Sequence, residues 1–364
     1  MAKDTPIITG QILSSADITA WYREYPILPS KAEASFPLMA SVNKTWKTVS
    51  NAETYMNEAA DHISLNSSTP VGGREGFQNI IGEMTSFGKG YEMTADDIET
   101  FEGLKRDYAQ FKNPTAAHNL LNFYGGDLEK IRIAMNAQMS YMDWDLISNA
   151  CSYSMLRADS PYMVGLTAMD YPVSTWQKDD VAASWATAST EILADIQSAV
   201  DLGITKGKNY LDIFINKKWF GYVRSNTQIK AQTITLVGSL VSANVNPNLA
   251  AVNTMLGEYF DIPVRFVVVD ELVTRSSLAG VRTTANPFQD GVAVFAQGPV
   301  LGHFEWNSIP IIDTREVYES FFTVGNYTQI DPTYSKIYGK GRAFPVIDTY
   351  ADNFYLKINA EAWS

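Results

Sequence analysis

The chain has 364 residues, and its 28 Lys and Arg residues against 40 Asp and Glu residues give a formal net charge of −12. This acidic balance argues against a primary nucleic-acid binder, because phosphate binding is driven largely by cation-rich surfaces. Hydrophobic residues make up 46% and charged residues 19% of the sequence, which excludes a disordered protein and predicts a buried core.

Residues 1–42 predict an extended N-terminal arm rather than a domain. Four prolines in this stretch interrupt most candidate helices and favour extended backbone. Aromatic residues such as Trp21 and Tyr25 are too frequent for a solvated tail. We therefore expect the arm to lie on the core of its own chain or on a neighbouring subunit, and Trp21 and Tyr25 are candidates for the subunit contact.

Residues 43–93 predict a long hairpin. Two strand-forming stretches, 43–60 and 77–93, flank a segment rich in Ser, Thr, Gly and Pro at 64–76, and that composition is typical of a flexible loop. A protruding hairpin with a flexible tip is the simplest interpretation of this arrangement.

Three residues of the hairpin join the candidate subunit contacts: Trp46, Arg74 and Lys89. A hairpin has little core of its own, so Trp46 has two open interpretations, a core position or a contact with a neighbouring subunit. Arg74 lies in the loop and Lys89 in the second limb.

Two helices are predicted after the hairpin. Thr94, with Asp97 three residues later, resembles a capping box and predicts a helix that runs to about Lys112. A longer helix is predicted over about 127–155, because Asp127 can cap it and apolar side chains recur every three or four residues. At 1.5 Å per residue this helix spans roughly 42 Å, so it acts as a beam.

The remaining elements predict a mixed unit at 165–325, of the α/β or α+β type, and a closing pair of strands at 326–364. The predicted elements are a helix at 180–203, a strand at 210–215, a short helix capped by Asn216, a helix starting at Asn246 and Pro247, a strand at 264–269, a strand pair at 291–296 and 300–306, and closing strands at 343–349 and 354–359.

Carboxylates that are close in sequence are the first candidates for catalysis. The pairs are Asp96/Asp97, Asp143/Asp145 and Asp179/Asp180. Neighbours at this spacing point apart on a helix, whereas general acid and base groups must face one cavity. The first and last pairs fall at predicted helix starts, where acidic residues favourably meet the helix dipole, so we expect structural roles.

Nucleotide, metal and membrane signals are also missing. Two Gly-Lys-Gly strings, at 88–90 and 339–341, lack the rest of a nucleotide-binding motif and predict tight turns. The three histidines have no metal-ligand spacing, and the single Cys151 cannot form an internal disulfide. The amino terminus has no signal-peptide pattern, and no segment approaches ~18 consecutive apolar residues. We expect no catalytic residue, cofactor, metal ion or membrane contact.

The order of the predicted elements resembles the major capsid protein of tailed bacteriophages, with its Hong Kong 97-like fold. Two strings carry the resemblance. FQDGVAVFAQGPVLGHFEW, at 288–306, is similar to the late strand pair of the axial A-domain, and YSKIYGKGRAFPVIDTYADNFYLKINAE, at 334–361, is similar to the closing strands of the peripheral P-domain. Within the family, the chain resembles the lambda-type branch often called major capsid protein E.

The resemblance implies an α+β fold and a domain map. The map is an N-arm at 1–42, an extended E-loop hairpin at 43–93, a P-domain at 94–164 with a spine helix at about 127–155, an A-domain at 165–325 and closing P-domain strands at 326–364. It also implies that many copies form pentamers and hexamers, which close an icosahedral head around double-stranded DNA without sequence-specific binding. The further partners it implies are portal, scaffold and decoration proteins, and the implied location is the virion, after synthesis in the bacterial host cytoplasm.

Two alternatives stay open. An encapsulin-like shell protein of a cargo-enclosing nanocompartment shares the fold, and the sequence does not separate the two. A cytoplasmic α/β enzyme that uses carboxylates alone is less favoured, because the histidine count is low and no nucleophile motif is found. The enzyme requires one deep pocket with two convergent carboxylates whose pKa values are shifted in opposite directions.

Overall fold

The computed structural model describes residues 19, 22, 31–51, 77–111, 114–154, 169–237, 246–276, 281–309, 316–329 and 334–363. The helices among them are α1 (Ala95–Phe111), α2 (Pro114–Ser148), α3 (Ile192–Thr205), α4 (Lys217–Ser225), α5 (Thr227–Val237) and α6 (Leu249–Phe260). Helices and strands occupy largely separate stretches of the chain, and the fold class is α+β, as predicted.

The strands among the described residues fall into two large sheets and three small ones. In chain order they are β1 (Leu38–Ala40), β2 (Thr45–Asn51), β3 (Phe77–Glu83), β4 (Thr85–Met93), β5 (Ser152–Tyr153), β6 (Met169–Asp170), β7 (Lys178–Asp180), β8 (Asp212–Asn216), β9 (Arg265–Val269), β10 (Val273–Ser276), β11 (Arg282–Ala285), β12 (Val292–Ala296), β13 (Gly302–Trp306), β14 (Glu316–Glu319), β15 (Phe322–Gln329), β16 (Tyr334–Ile347) and β17 (Phe354–Lys357).

The capping box predicted at the start of α1 is present. The backbone N–H of Thr94 donates to Asp97 Oδ2 at 2.9 Å, and the N–H of Asp97 donates to Thr94 Oγ1 at 3.4 Å. The backbone and side-chain hydrogen bonds from Thr94 lower the pKa of Asp97. Asp97 therefore has the structural role that its position predicted.

The long helix α2 begins at Pro114 instead of about 127 and ends at Ser148 instead of about 155. Proline is favourable in the first turn of a helix, where its missing N–H is not needed. Gly125 and Gly126 lie inside the helix, although glycine disfavours helix interiors and marked the predicted start. With 35 residues the helix is about 52 Å long.

Two other helices begin later than predicted. The helix expected at 180–203 begins at Ile192, and residues 178–180 form β7 instead, so Asp179 and Asp180 lie on a strand rather than at a helix start. Short polar side chains in the intervening segment bind the backbone instead of helping a helix: Thr190 Oγ1 donates to the Ser184 carbonyl at 2.8 Å.

The start expected at Asn246 moves to Asn248. The side chain of Asn248 accepts from the N–H of Ala251 at 2.8 Å, which makes Asn248 the N-cap of α6. The cap predicted for α4 is correct, since the Asn216 side chain accepts from the N–H of Lys218 at 2.9 Å.

The first large sheet is organised by its long strand β16. The strand order is β1-β13-β16-β15-β14, and β4 also pairs with β16. Along its length β16 is antiparallel to β15, β4 and β13, whereas β1 is parallel to β13. Strand β16 therefore joins β4, from the first third of the chain, to β13 and β15, from the last third.

The two Gly-Lys-Gly strings are not turns, which corrects that prediction. They lie side by side in β4 and β16, where Lys89 is opposite Gly339 and Lys340 is opposite Gly88. A Cβ on Gly339 would lie 2.5 Å from Ile131 Cγ2 of α2. This glycine is needed because it lets the long helix pack closely on the sheet.

The second large sheet has the order β7-β17-β12-β8-β9. It is mixed, because β8 and β9 are parallel while β12 is antiparallel to both β8 and β17. On one face Phe214, Val294 and Tyr355 join a core that includes α2. The opposite face packs on helices α3, α4 and α6. This sheet thus separates the long helix from the helices of the mixed unit.

Strands are present at both predicted segments, 291–296 and 300–306, but the pairing predicted between them is wrong. The two segments are β12 and β13, and they belong to different sheets. The short link between them crosses from one sheet to the other, and the N–H of Leu301 donates to the carbonyl of Ser35. All five residues of β12 are buried between β8 and β17, so β12 has no free edge for β13.

Candidate assembly surfaces

The hairpin formed by β2 and β3 is anchored to the rest of the chain by Trp46. The Trp46 indole is fully buried and stacks on Tyr171 and Phe344, with ring centroids 5.6 Å and 5.5 Å away. The cross-strand neighbour Gly82 leaves room for it, because a Cβ there would lie 2.5 Å from the indole. Trp46 is thus a core residue with no surface left for a neighbouring subunit, which corrects the contact considered for it.

Of the other candidate contact residues, Lys89 lies among the described residues and three do not. Lys89 is exposed on β4, and its Nζ lies 5.8 Å from the centroid of the Tyr91 ring. Lys130 of α2 approaches the same ring to 5.4 Å. Trp21, Tyr25 and Arg74, together with the hairpin tip at 52–76, lie outside the described residues.

The outer face of the hairpin carries two exposed apolar side chains among polar ones. Trp46 and Thr48 of β2 point into the protein, whereas Lys47 and Val49 alternate with them and are exposed. Val49 is 51% exposed, and Ile81, which pairs with Lys47 from β3, is 64% exposed. We call Val49 and Ile81 the hairpin patch. The sequence prediction missed both residues, although the period-two alternation of β2 was a usable signal.

The segment that leads into the hairpin adds to its exposed apolar surface. Val42, in the turn between β1 and β2, is 96% exposed, and Met39 of β1 is also exposed. Isolated two-stranded hairpins are marginally stable in water, and contiguous exposed apolar side chains are typical of interaction sites. The hairpin and its entry segment therefore have the character of a contact surface.

A polar cluster holds the hairpin beside the last strands. Thr48 Oγ1 donates to Asp348 Oδ1 at 3.0 Å, and His303 Nδ1 lies 2.7 Å from Asp348 Oδ2. Glu305 Oε2 is 3.8 Å from His303 Nε2. The hydrogen bond with Asp348 raises the pKa of His303, and the charges of Asp348 and Glu305 add to this effect. Asp348 therefore links β2 to the six-stranded sheet, with a titratable imidazole on its other oxygen.

A groove lies between α2 and the α/β unit, where the enzyme alternative requires a pair of convergent carboxyls. This groove has a volume of about 750 Å³ and is lined by Asp145, Lys217, Lys218, Asp270 and Asp290, among others. The two lysines are already paired there: Lys217 Nζ is 2.6 Å from Asp270 Oδ2, and Lys218 Nζ is 2.7 Å from Asp290 Oδ2.

The nearby carboxyls do not form an acid and base pair. Burial raises the pKa of both Asp143 and Asp145, so the two shifts have the same direction. Asp143 does not line the groove. The requirement set for an enzyme, two convergent carboxyls with opposed shifts, is not met at this groove.

Within the described ranges, no group of three or more His, Cys, Asp or Glu side chains has the geometry to hold a metal ion. None of the helices in those ranges is long and apolar enough to span a membrane.

Comparisons with known proteins show a fold shared with a solved prophage protein. No protein-family model and no curated protein matches the sequence. A protein assigned as the capsid protein of a prophage in Escherichia coli CFT073 has a TM-score of 0.55 at 12% identity, and the likeness covers 95% of this chain and 99% of that one.

Two further solved structures are similar over most of their length. A phage-related protein of Bordetella bronchiseptica RB50 has a TM-score of 0.49 at 10% identity, covering 98% of this chain and 100% of that one. The mature capsid protein of bacteriophage PhiM1 has a TM-score of 0.46 at 10% identity, covering 97% and 91%.

The likeness to the prophage protein shows the fold of this chain. This chain has the α+β fold of a phage capsid protein, as its order of elements predicted.

Proposed function

We propose that this chain is the structural subunit of a phage head and has no enzymatic role. The observation that carries the proposal is the likeness to the E. coli prophage capsid protein, which extends over nearly the full length of both chains. Many copies assemble as pentamers and hexamers into an icosahedral shell located in the virion.

The proposed domain map keeps the predicted boundaries. The N-arm is 1–42, the E-loop hairpin 43–93, the P-domain 94–164, the A-domain 165–325 and the closing strands 326–364. The antiparallel pairing of β2 with β3 supports the hairpin, and the pairing of β16 with β4 supports the return of the closing strands to the first domain. In this map β13 and β14 lie in the A-domain range but belong to the sheet of β16, and β15 crosses the boundary at 325/326.

The proposed contact between subunits is made by the hairpin. The hairpin patch exposes two β-branched side chains, and burial of apolar surface favours association. The anchor at Trp46 fixes the base of the hairpin, so the exposed face is presented in one orientation. We include Lys89, Trp21, Tyr25 and Arg74 as proposed contact residues, in agreement with their predicted role.

The net charge supports enclosure of DNA rather than tight binding of it. A shell subunit with a net charge of −12 repels phosphates on average, and repetition over many copies multiplies this field. We expect packaged DNA to be held without sequence-specific contacts. The portal, scaffold and decoration proteins of the head are the proposed further partners, and synthesis takes place in the bacterial host cytoplasm.

The encapsulin-like nanocompartment is the second candidate. The likeness to the E. coli prophage capsid protein, with a TM-score of 0.55, favours the phage head. The two candidates differ in contents: a head encloses DNA, whereas a nanocompartment encloses an enzyme.

The test is the oligomeric state of the purified chain at micromolar concentration. Size exclusion with light scattering is expected to detect capsomers or shells. A single monomeric species at all concentrations and salt conditions contradicts the proposal. Nucleic acid extracted from particles of infected or induced cells separates the head from the nanocompartment.

A further inference from the structure

The carboxyl-terminal half of α2 is joined to the α/β unit through Glu271, which lies in the link between β9 and β10. Trp144 Nε1 donates to Glu271 Oε2 at 2.9 Å, and Ser140 Oγ donates to Glu271 Oε1 at 3.0 Å. Both oxygens of this carboxylate thus accept hydrogen bonds from the helix. Glu271 holds the two units together as an acceptor, and we call this contact the joint.

A second group of contacts completes the joint. Gln289 binds the helix twice: its backbone N–H donates to Ser148 Oγ at 2.9 Å, and its Nε2 donates to Asp145 Oδ1 at 2.8 Å. The Trp144 ring packs between Phe214 and Phe288, with centroids 6.1 Å and 6.3 Å away. The polar groups of Gln289 therefore have hydrogen-bond partners, and aromatic side chains pack around Trp144.

Asp143 is the exception within the joint. Its side chain is fully buried, and neither carboxyl oxygen has a hydrogen-bond partner among the described residues. An ionised carboxylate without donors is strongly disfavoured in such a place, whereas a neutral carboxyl is far less costly. Burial, and then the charge of Glu271, hold the pKa of Asp143 well above its usual range.

The other charged groups at the joint act on Asp145 rather than on Asp143. Burial raises the pKa of Asp145, while the hydrogen bond from Gln289 and the Arg275 guanidinium oppose this rise. Arg275 itself lies over the Tyr141 ring at 4.0 Å. The group that acts on Asp143 from the β9–β10 link is Glu271, which has the same sign of charge and favours the neutral form of Asp143.

We propose that Asp143 carries a proton in the folded chain and that this proton makes the joint between α2 and the α/β unit sensitive to pH. Loss of the proton places a second negative charge beside Glu271, in a site that offers it no donor, and loosens the joint. The joint belongs to the single chain, so the proposal does not depend on assembly.

The sign of the effect follows from linkage. A group that is protonated more readily in the folded chain than in the unfolded chain contributes stability at low pH. That contribution is complete below the ordinary Asp pKa and is lost as pH rises through the higher pKa of the folded chain. The joint is therefore tight in acid and weaker in alkali.

The test compares Asp143→Asn with the wild type by thermal unfolding between about pH 5 and about pH 9. Asparagine has the same shape but cannot ionise, so its unfolding midpoint is expected to fall less with rising pH. At the alkaline end the variant matches or exceeds the wild type. Asp107→Asn, an exposed residue of α1, is the matched control and keeps the wild-type pH dependence. A curve for Asp143→Asn that runs parallel to that of the wild type overturns the proposal.

Two further measurements keep the test decisive. Hydrogen exchange at alkaline pH is expected to be slower in Asp143→Asn than in the wild type at residues 140–148 and 271–276, and equal rates there contradict a local effect. If Asp143→Asn does not fold, Glu271→Gln removes the neighbouring charge instead. Because Glu271 favours the neutral form of Asp143, its replacement is expected to move the pH-dependent loss of stability to lower pH, and an unmoved transition overturns the proposal.

Discussion

The indole of Trp46 lies parallel to the ring of Phe344, with an interplanar angle of 5° and centroids 5.5 Å apart. Trp46 belongs to the first limb of the hairpin and Phe344 to the long strand β16, so one ring contact ties the hairpin to the end of the chain. Stacked aromatic pairs contribute about 0.5–1.5 kcal/mol beyond their buried area. The orientation of the proposed contact surface therefore depends on a core contact.

Gly82→Ala tests this anchor. The added Cβ would lie 2.5 Å from the Trp46 indole, so the indole or the strand has to move. We expect a loss of about 1–3 kcal/mol in the free energy of unfolding, as for other overpacked cores. Urea denaturation measures the loss.

Gly126→Ala is the control for this change. A Cβ at Gly126 meets nothing within 4 Å, and the residue lies inside α2. Alanine there is expected to stabilise the chain by about 0.5–1 kcal/mol, because it favours the helix. Equal effects of the two alanines would contradict the anchor.

Much of the fold could be predicted because it depends on local chemistry. The apolar spacing of α2 places Ile131, Met135 and Met139 in the core, and the Thr94–Asp97 box starts α1 where the sequence indicated. Side-chain period and capping are read from neighbouring residues alone. These local signals identify helices and strands, but they do not show what each helix or strand packs against.

The remaining features depend on contacts between distant residues. The short link between β12 and β13 resembled a hairpin, yet each strand finds its partners in a different sheet. Gly339 looked like a turn residue, and only the approach of Ile131 explains it. Likewise the core position of Trp46 follows from Tyr171 and Phe344, which no spacing rule connects to it.

Ile81→Glu tests the hairpin patch. The side chain is 64% exposed in the single chain, so a charge there leaves the fold intact but is unfavourable in an apolar contact between subunits. We expect the unfolding midpoint to stay near that of the wild type while assembly falls at least tenfold, measured by sedimentation velocity. Ile81→Val, which keeps an apolar side chain, is the control and assembles normally. Unimpaired assembly of Ile81→Glu rules out a contact at this patch.

The His303–Asp348 pair predicts a dependence on pH. The pKa of His303 is raised in the folded chain, so its protonated form stabilises the fold. This contribution is complete below the ordinary His pKa and is lost as pH rises through the raised value. Asp348→Asn is expected to lower the pKa of His303, measured by NMR titration of the imidazole. An unchanged titration would show that Asp348 does not control it.

Binding to DNA is expected to be weak. In the unassembled chain 40 acidic residues outnumber the 28 Lys and Arg residues, so net repulsion opposes binding to DNA phosphates. At physiological salt we expect no electrophoretic mobility shift with double-stranded DNA, whatever the DNA sequence. Tight binding under those conditions contradicts the proposed enclosure without specific contacts.

Electron cryo-microscopy of the purified, assembled chain tests the central claim most directly. The account predicts closed icosahedral particles in which pentamers and hexamers are built from this fold, with the hairpin of each subunit lying on a neighbour. Particles of this kind whose hairpins contact no neighbour contradict the proposed interface. A chain that stays monomeric or forms only irregular aggregates contradicts the proposed function itself.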